Sequence, residues 1–164
     1  MRHMISVLVE NKSGVLARIS ALFAARGFNI ASLSVSETED VAISRMTIVV
    51  KGNESILEQV TKQLNKLVDV IKVNDFNDVE YIARELALIK INIANKASRD
   101  EIIRLVGVFK AKIIDISQDS VIVEISGNES KLSAFMKVAL AYGVKETCKT
   151  GASVLYRGNS GRVK

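Results

Sequence analysis

The chain of 164 residues has no proline, one cysteine and one histidine. Cys148 alone closes no internal disulfide, so no disulfide framework of the kind found in small secreted domains is available. His3 stands at one end and Cys148 almost the whole length away, which leaves neither a metal-ligand cluster nor a histidine-assisted nucleophile at recognisable spacing. Every apolar run falls well short of the ~18 residues a membrane-spanning helix needs. Met1 to Glu10 alternates in polarity where a secretory leader would show a basic segment and then an apolar run. The acidic residues lie mostly in helical or loop patterns, where solvation accounts for them. These absences predict a cytoplasmic, non-catalytic protein without a metal centre or membrane contact.

What is present is an ordinary globular composition, 48% hydrophobic and 25% charged, with a net charge of +5. At this length, size scaling buries about 69% of the unfolded surface, enough for one or two domains without staples.

Internal duplication organises the chain. Gly52-Asn53-Glu54-Ser55-Ile56-Leu57 returns as Gly127-Asn128-Glu129-Ser130-Lys131-Leu132. Each copy follows a β-branched run of strand length, Ile43 to Lys51 and Asp119 to Ser126, and precedes apolar residues at helical spacing. Glycine lets the chain turn out of the strand, and Asn or Ser caps the first free N–H groups of the helix. Extending outward predicts strand 4–10, helix 15–26, strands 31–37 and 44–51, helix 55–67 and strand 70–74. The second half reads as strand 86–93, helix 99–109, strands 113–116 and 121–126, helix 131–142 and a strand from Val144 to Lys149 or beyond. The expected fold is therefore α+β, two tandem ferredoxin-like βαββαβ domains. The boundaries are 1–76, a linker at 77–83 where periodicity fades, and 84–164 ending in a basic tail. Each half alone buries only about 62% of its surface, and each sheet keeps a face its helices do not cover, so at least a dimer is expected; pairing of the two halves within one chain is the competing solution.

Glu10-Asn11-Lys12-Ser13-Gly14-Val15-Leu16 is a polar turn with glycine opening straight onto a helical stripe. The first turn of a helix offers unpaired N–H groups at the positive end of its dipole, a site for carboxylate or phosphate, unless Ser13 caps the helix itself. Asn11 and Asn29 are amides that can meet both the ammonium and the carboxylate of a free α-amino acid, while Asn29 in Gly27-Phe28-Asn29-Ile30 also suits a plain helix-to-strand turn. Val9, Val15, Leu16 and Ile30 are candidates for an apolar floor.

Ser6 to Asn11, Ser13 to Arg18, Leu22-Phe23, Arg26 to Ile30 and Ser44 to Thr47 closely resemble the ACT domain of the small regulatory subunit of acetolactate synthase (acetohydroxyacid synthase). The resemblance continues through Gln63 to Val70, Arg84 to Lys90, Ile113-Ile114-Asp115, Lys131 to Phe135 and Thr150-Gly151, covering nearly the whole chain. It implies a homodimeric sensor of valine, or another branched-chain amino acid, that stimulates the catalytic subunit and confers feedback inhibition. It places the family's feedback positions on Asn11, Gly14 and Asn29, which stand in matching motifs; with the helix-start amides of Val15 and Leu16 and the apolar Ile30, read from the loop itself, these residues make up the expected effector site. It implies no cofactor in this chain; thiamine diphosphate, Mg²⁺ and FAD belong to the catalytic partner. The chain departs from the family pattern at Val41, where proline is usual, at Lys110-Ala111 in place of Arg-Gly, and at Thr147-Cys148-Lys149 in place of an Ala-Arg pairing. The first touches a hairpin loop and the others the second half; none falls in the effector loop.

Two rival readings follow from other features. An isoelectric point near 9.4 and the sheet topology suit RNA-recognition domains, but the strands 44–51 and 121–126 carry no Phe, Tyr or Trp for base stacking, so no nucleic-acid partner is expected. Lys145, Lys149, Arg157, Arg162 and Lys164 form either a solvated tail or a docking face for an acidic partner. A stand-alone ACT sensor acting on a different enzyme is the functional alternative.

Overall fold

The structure, a computed structural model, describes residues 2–77 and 79–158. Its elements run β1 (Arg2–Glu10), α1 (Val15–Ala25), β2 (Ile30–Glu37), β3 (Ile43–Lys51), α2 (Glu54–Leu64), β4 (Val70–Asp75), β5 (Tyr81–Asn92), α3 (Lys96–Val108), β6 (Lys112–Ile116), β7 (Ser120–Gly127), α4 (Glu129–Ala139), a 3₁₀ turn at Leu140–Tyr142, β8 (Val144–Lys149) and β9 (Ser153–Tyr156). The βαββαβ order occurs twice, in antiparallel sheets ordered β2-β3-β1-β4 and β6-β7-β5-β8, the latter joined by β9, which also pairs with β5.

Alternation along the central strands sets each core. In the first unit Ile5, Val7 and Val9 are fully buried and stand in register with Ile48, Met46 and Ser44 of β3. Val15, Ile19 and Phe23 of α1 and Leu57, Val60 and Leu64 of α2, all at i, i+3 or i+4 spacing, close over that face. In the second unit Ala87, Ile89 and Ile91 play the same part beneath Ile102 and Val106 of α3 and Leu132, Phe135 and Ala139 of α4. Each large aliphatic or aromatic side chain so buried contributes about 1.5–3 kcal/mol.

Local chemistry fixes the helix ends. The side chains of Asn53, Asn95 and Asn128 accept hydrogen bonds from the N–H groups of Ile56, Ser98 and Lys131, capping α2, α3 and α4. Helix α1 closes with the N–H of Gly27 donating to the Ala24 carbonyl at 3.1 Å and that of Phe28 to Phe23 at 3.0 Å. Gly27 takes the left-handed φ of +67° this ending requires, and the Phe23 and Phe28 rings meet edge-on. Helix α3 ends identically, Lys110 N–H to Gly107 and Ala111 N–H to Val106, but with Lys110 at φ +50°. Position 110 thus carries a side chain where the first half has Gly27, while the glycine of the family's Arg-Gly pair falls at Ala111.

The chain divides into two compact units, one running to Ile82 and resuming at Gly151, the other spanning Ala83–Thr150. The segment after Gly151, expected at the end of the second domain, makes its compact contacts with the first unit, while its strand β9 pairs with β5. Gly151 lies so close to β2 that a Cβ there would stand 2.5 Å from the Leu33 carbonyl oxygen. The Tyr156 ring centroid is 4.5 Å from that of Phe76, which also meets Tyr81 edge-on, and the Tyr156 hydroxyl donates to the Asp75 carbonyl at 3.2 Å. Phe76, at the edge of the expected linker, is consequently buried. Among the described residues no helix is long and apolar enough to cross a membrane.

Candidate effector site

Helix α1 starts differently from the other three. Its N-cap is Gly14, at φ +84° and ψ −8°, and no side chain caps it. Ser13 therefore does not fill the role its position allowed. The first full helical bond runs from Arg18 N–H to the Gly14 carbonyl at 3.0 Å, while Val15 N–H reaches the Lys12 carbonyl only at 3.4 Å. The first-turn N–H groups of Leu16 and Ala17 are left by helix geometry without an intrahelical acceptor. The counterpart turn in the second unit is closed, because Asn95 and Ser98 form a reciprocal capping box at α3. An uncapped helix start with glycine in the left-handed region gives this loop open donors facing solvent, the chemistry that holds a carboxylate or phosphate.

The neighbouring amide is already engaged. Asn11 Nδ2 donates to Glu37 Oε1 at 3.0 Å and to the Val41 carbonyl at 2.8 Å, and its N–H donates to the Ala42 carbonyl at 2.7 Å. Both side-chain donors are thus used within the protein, which corrects the expectation that Asn11 offers a ligand donor and acceptor alike; its Oδ1 alone faces outward duties. The hairpin loop that presents Val41 is formed without proline. Asp40 Oδ1 accepts from Ala42 N–H at 2.9 Å, and Thr38 N–H donates to the Ile43 carbonyl at 2.9 Å.

The apolar floor also differs from expectation. Val9 and Val15 are in the core, 0% and 3% exposed, so neither side chain lines a surface site. Val15 takes part only through its backbone. Leu16 is 39% exposed and Ile30 half-buried against the core. Asn29 is exposed, just past the Gly27 turn.

Within one chain Asn11 and Asn29 lie at opposite ends of the sheet. Ile30 pairs with Val50, which faces His3 at the start of β1, whereas Glu37 pairs with Ser44, which faces Val9 near its end. At about 3.3 Å per residue the length of β2 separates them by roughly 23 Å. Two groups beside the loop carry no signal in the local sequence. Glu37 is one. The other is the Arg18–Asp69 pair, in which Arg18 Nε and Nη2 both stand 2.8 Å from Asp69 Oδ2. Asp69 is 8% exposed, and its carbonyl accepts from Glu10 N–H at 2.9 Å, tying the loop after β1 to the turn before β4. Partners so far apart in sequence leave no local signal. Lys12 donates to Glu10 at 2.8 Å, and that hydrogen bond, with the charge behind it, raises the lysine above its ordinary pKa. Of the basic residues toward the C-terminus, Lys145 pairs with Asp119 at 2.7 Å and Lys149 with Glu85 at 2.6 Å, while Arg162 and Lys164 lie outside the described residues.

Two consecutive ferredoxin-like units, the first with an open helix start at its β1–α1 loop, define an ACT-type regulatory fold. Residues 5–72 match the family described as the AHAS small subunit-like ACT domain, and residues 84–158 match the family described as the small subunit of acetolactate synthase. The acetolactate synthase small subunit of Mycobacterium bovis is 50% identical over 159 residues, 97% of this chain and 94% of that one. That of Aquifex aeolicus is 44% identical over 156 residues, 95% of this chain and 81% of its own length. The crystal structure of the acetolactate synthase small subunit from Thermotoga maritima matches with a TM-score of 0.87 at 41% identity, covering 97% of this chain and 99% of that one. The chain belongs to the acetolactate synthase small-subunit family.

Proposed function

We propose that the chain is a non-catalytic, cytoplasmic regulatory subunit that stimulates the catalytic subunit of acetolactate synthase and returns it to a low-activity state when valine binds. The observation that carries this reading is the start of α1: the other three helices are closed by asparagine side chains, and this one is left open. Valine's carboxylate sits on the amides of Gly14, Val15 and Leu16, the long 3.4 Å bond from Val15 N–H to the Lys12 carbonyl giving way to it, its ammonium meets Asn11 Oδ1, and its isopropyl group lies on Leu16 and Ile30.

The separation of Asn11 from Asn29 calls for a second copy. Strand β2 is an edge of its sheet, and an edge is free to pair. Two β2 strands paired antiparallel across a two-fold axis lay the start of one beside the end of the other. That arrangement brings Asn29 and Ile30 of the partner subunit to Glu37, and hence to Asn11, giving two symmetry-related effector sites in a homodimer. Occupancy is then linked to dimer geometry, and any state of the catalytic subunit that favours one geometry changes valine affinity by the same factor. Leucine and isoleucine differ from valine by one methylene, about 1 kcal/mol, so the effector class is better defined than its member. The second domain serves docking or dimerisation, and thiamine diphosphate, Mg²⁺ and FAD belong to the catalytic partner. The test is acetolactate formation by the catalytic subunit at fixed substrate, with and without this chain, and with and without valine. Stimulation that valine reverses supports the reading; no stimulation overturns it in favour of an ACT sensor serving another enzyme.

A further inference from the structure

We infer that Arg18 is the charged half of the effector's carboxylate clamp, so that the site selects a free carboxylate over an amide or ester of the same amino acid. The inference rests on the effector site proposed above and adds a residue and a chemical selectivity to it. A guanidinium presents two usable edges, Nε with Nη2 and Nη1 with Nη2. Arg18 commits the first edge to Asp69, with Nε and Nη2 both 2.8 Å from Oδ2. Asp69 is itself fixed, being buried and bonded through its carbonyl to the N–H of Glu10. The arginine is therefore pinned from the side, and its Nη1 end has no acceptor among the described residues.

That end points at the loop. Nη1 lies 3.3 Å from where a Cβ on Gly14 would stand, so it borders the same open amides of the first turn of α1. The side chain is half exposed, which keeps the fork reachable from solvent. A planar fork beside unpaired N–H groups matches the two oxygens of one carboxylate, and guanidinium does this where ammonium supplies only a point charge. The loop's other cation, Lys12, is drawn onto Glu10 at 2.8 Å and does not compete for the role. Glycine at position 14 then has two duties, the left-handed turn and the clearance that lets Nη1 approach.

The experiment compares calorimetric titrations of valine and valinamide into the full-length chain and its Arg18→Gln and Arg18→Lys variants. Valinamide keeps the ammonium and the isopropyl group and lacks the carboxylate charge. Arg18→Gln is expected to weaken valine by about 10- to 100-fold, the range of a lost charge-assisted bond, with valinamide affinity unchanged and Arg18→Lys intermediate. Because Arg18→Gln leaves Asp69 unpartnered, the double variant Arg18→Gln/Asp69→Asn, in which two amides can pair, repeats the comparison in a neutral background. Equal losses for valine and valinamide in both backgrounds make Arg18 a purely structural residue and overturn the inference, as does an unchanged valine affinity. Failure of the unaltered chain to bind valine overturns instead the effector site on which the inference rests.

Discussion

Replacing Gly14 by alanine and by aspartate separates backbone strain from charge at the proposed carboxylate position. Gly14 holds φ +84°, where a residue with a Cβ loses roughly 1–2 kcal/mol. The added Cβ meets only the tip of Arg18, 3.3 Å away, a flexible end that gives by a few tenths of an ångström. Gly14→Ala should therefore lower the melting temperature by roughly 2–8 °C and weaken valine less than about 10-fold, since the amides stay in place. Gly14→Asp carries similar or smaller strain, because aspartate tolerates the left-handed region better, but it sets an anion beside the open amides and within reach of Arg18. Two like charges about 4 Å apart at an effective dielectric near 20 repel by about 4 kcal/mol before screening, so valine affinity should fall by at least about 100-fold. Thermal melts report the strain and calorimetry at low salt reports the charge. If Gly14→Asp binds valine within about threefold of Gly14→Ala at low salt, no anion sits at the start of α1 and the site assignment is refuted.

Other outcomes follow from the same geometry. Asn29→His should abolish inhibition by valine while leaving stimulation of the catalytic subunit, measured in the reconstituted acetolactate assay; retained inhibition at millimolar valine removes Asn29 from the site. Lys110→Gly relieves a left-handed lysine at the end of α3 and should stabilise the protein by about 1 kcal/mol, seen as a higher melting temperature; an unchanged melt shows that no strain is held there. Asp119 accepts from Lys145 at 2.7 Å, a hydrogen bond and charge pair that hold its carboxyl below the ordinary value of 3.8. Its folded pKa being the lower one, the pair's contribution is present above the unfolded value and is lost as pH falls through the folded one. Carboxyl NMR titration should show Asp119 returning to its ordinary value in Lys145→Ala.

What the sequence reveals here is what local chemistry dictates. The repeated Gly-Asn-Glu-Ser marks the starts of α2 and α4 because an asparagine cap acts over three residues, and Arg26-Gly27 marks the end of α1 because a left-handed ending favours glycine. Core strands are equally readable from alternation at Ile5, Val7 and Val9. Ends set by softer preferences drift: the helix expected to reach Tyr142 becomes a 3₁₀ turn after Ala139, and β5 begins at Tyr81, inside the expected linker. Features that depend on distant partners are silent. Neither the packing of Gly151 against Leu33 nor the stacking of Phe76 with Tyr156 has a local pattern, so the contacts that the segment after Gly151 makes with the first unit are silent in the sequence. The site shows the same division. The open glycine turn is visible in Ser13-Gly14-Val15, whereas the capture of the Asn11 amide by Glu37 and the pairing of Arg18 with Asp69 require the fold to bring residues dozens of positions apart together.

Whether a branched-chain amino acid rests on the amides that open α1 is read by backbone amide NMR of the isotope-labelled chain during a valine titration. Saturable shifts of the Gly14, Val15 and Leu16 amide resonances are expected, while those of Lys96, Ala97 and Ser98 in the capped turn of the second unit stay still. Saturation without movement of the α1 amides, or movement centred on the second unit, contradicts that placement.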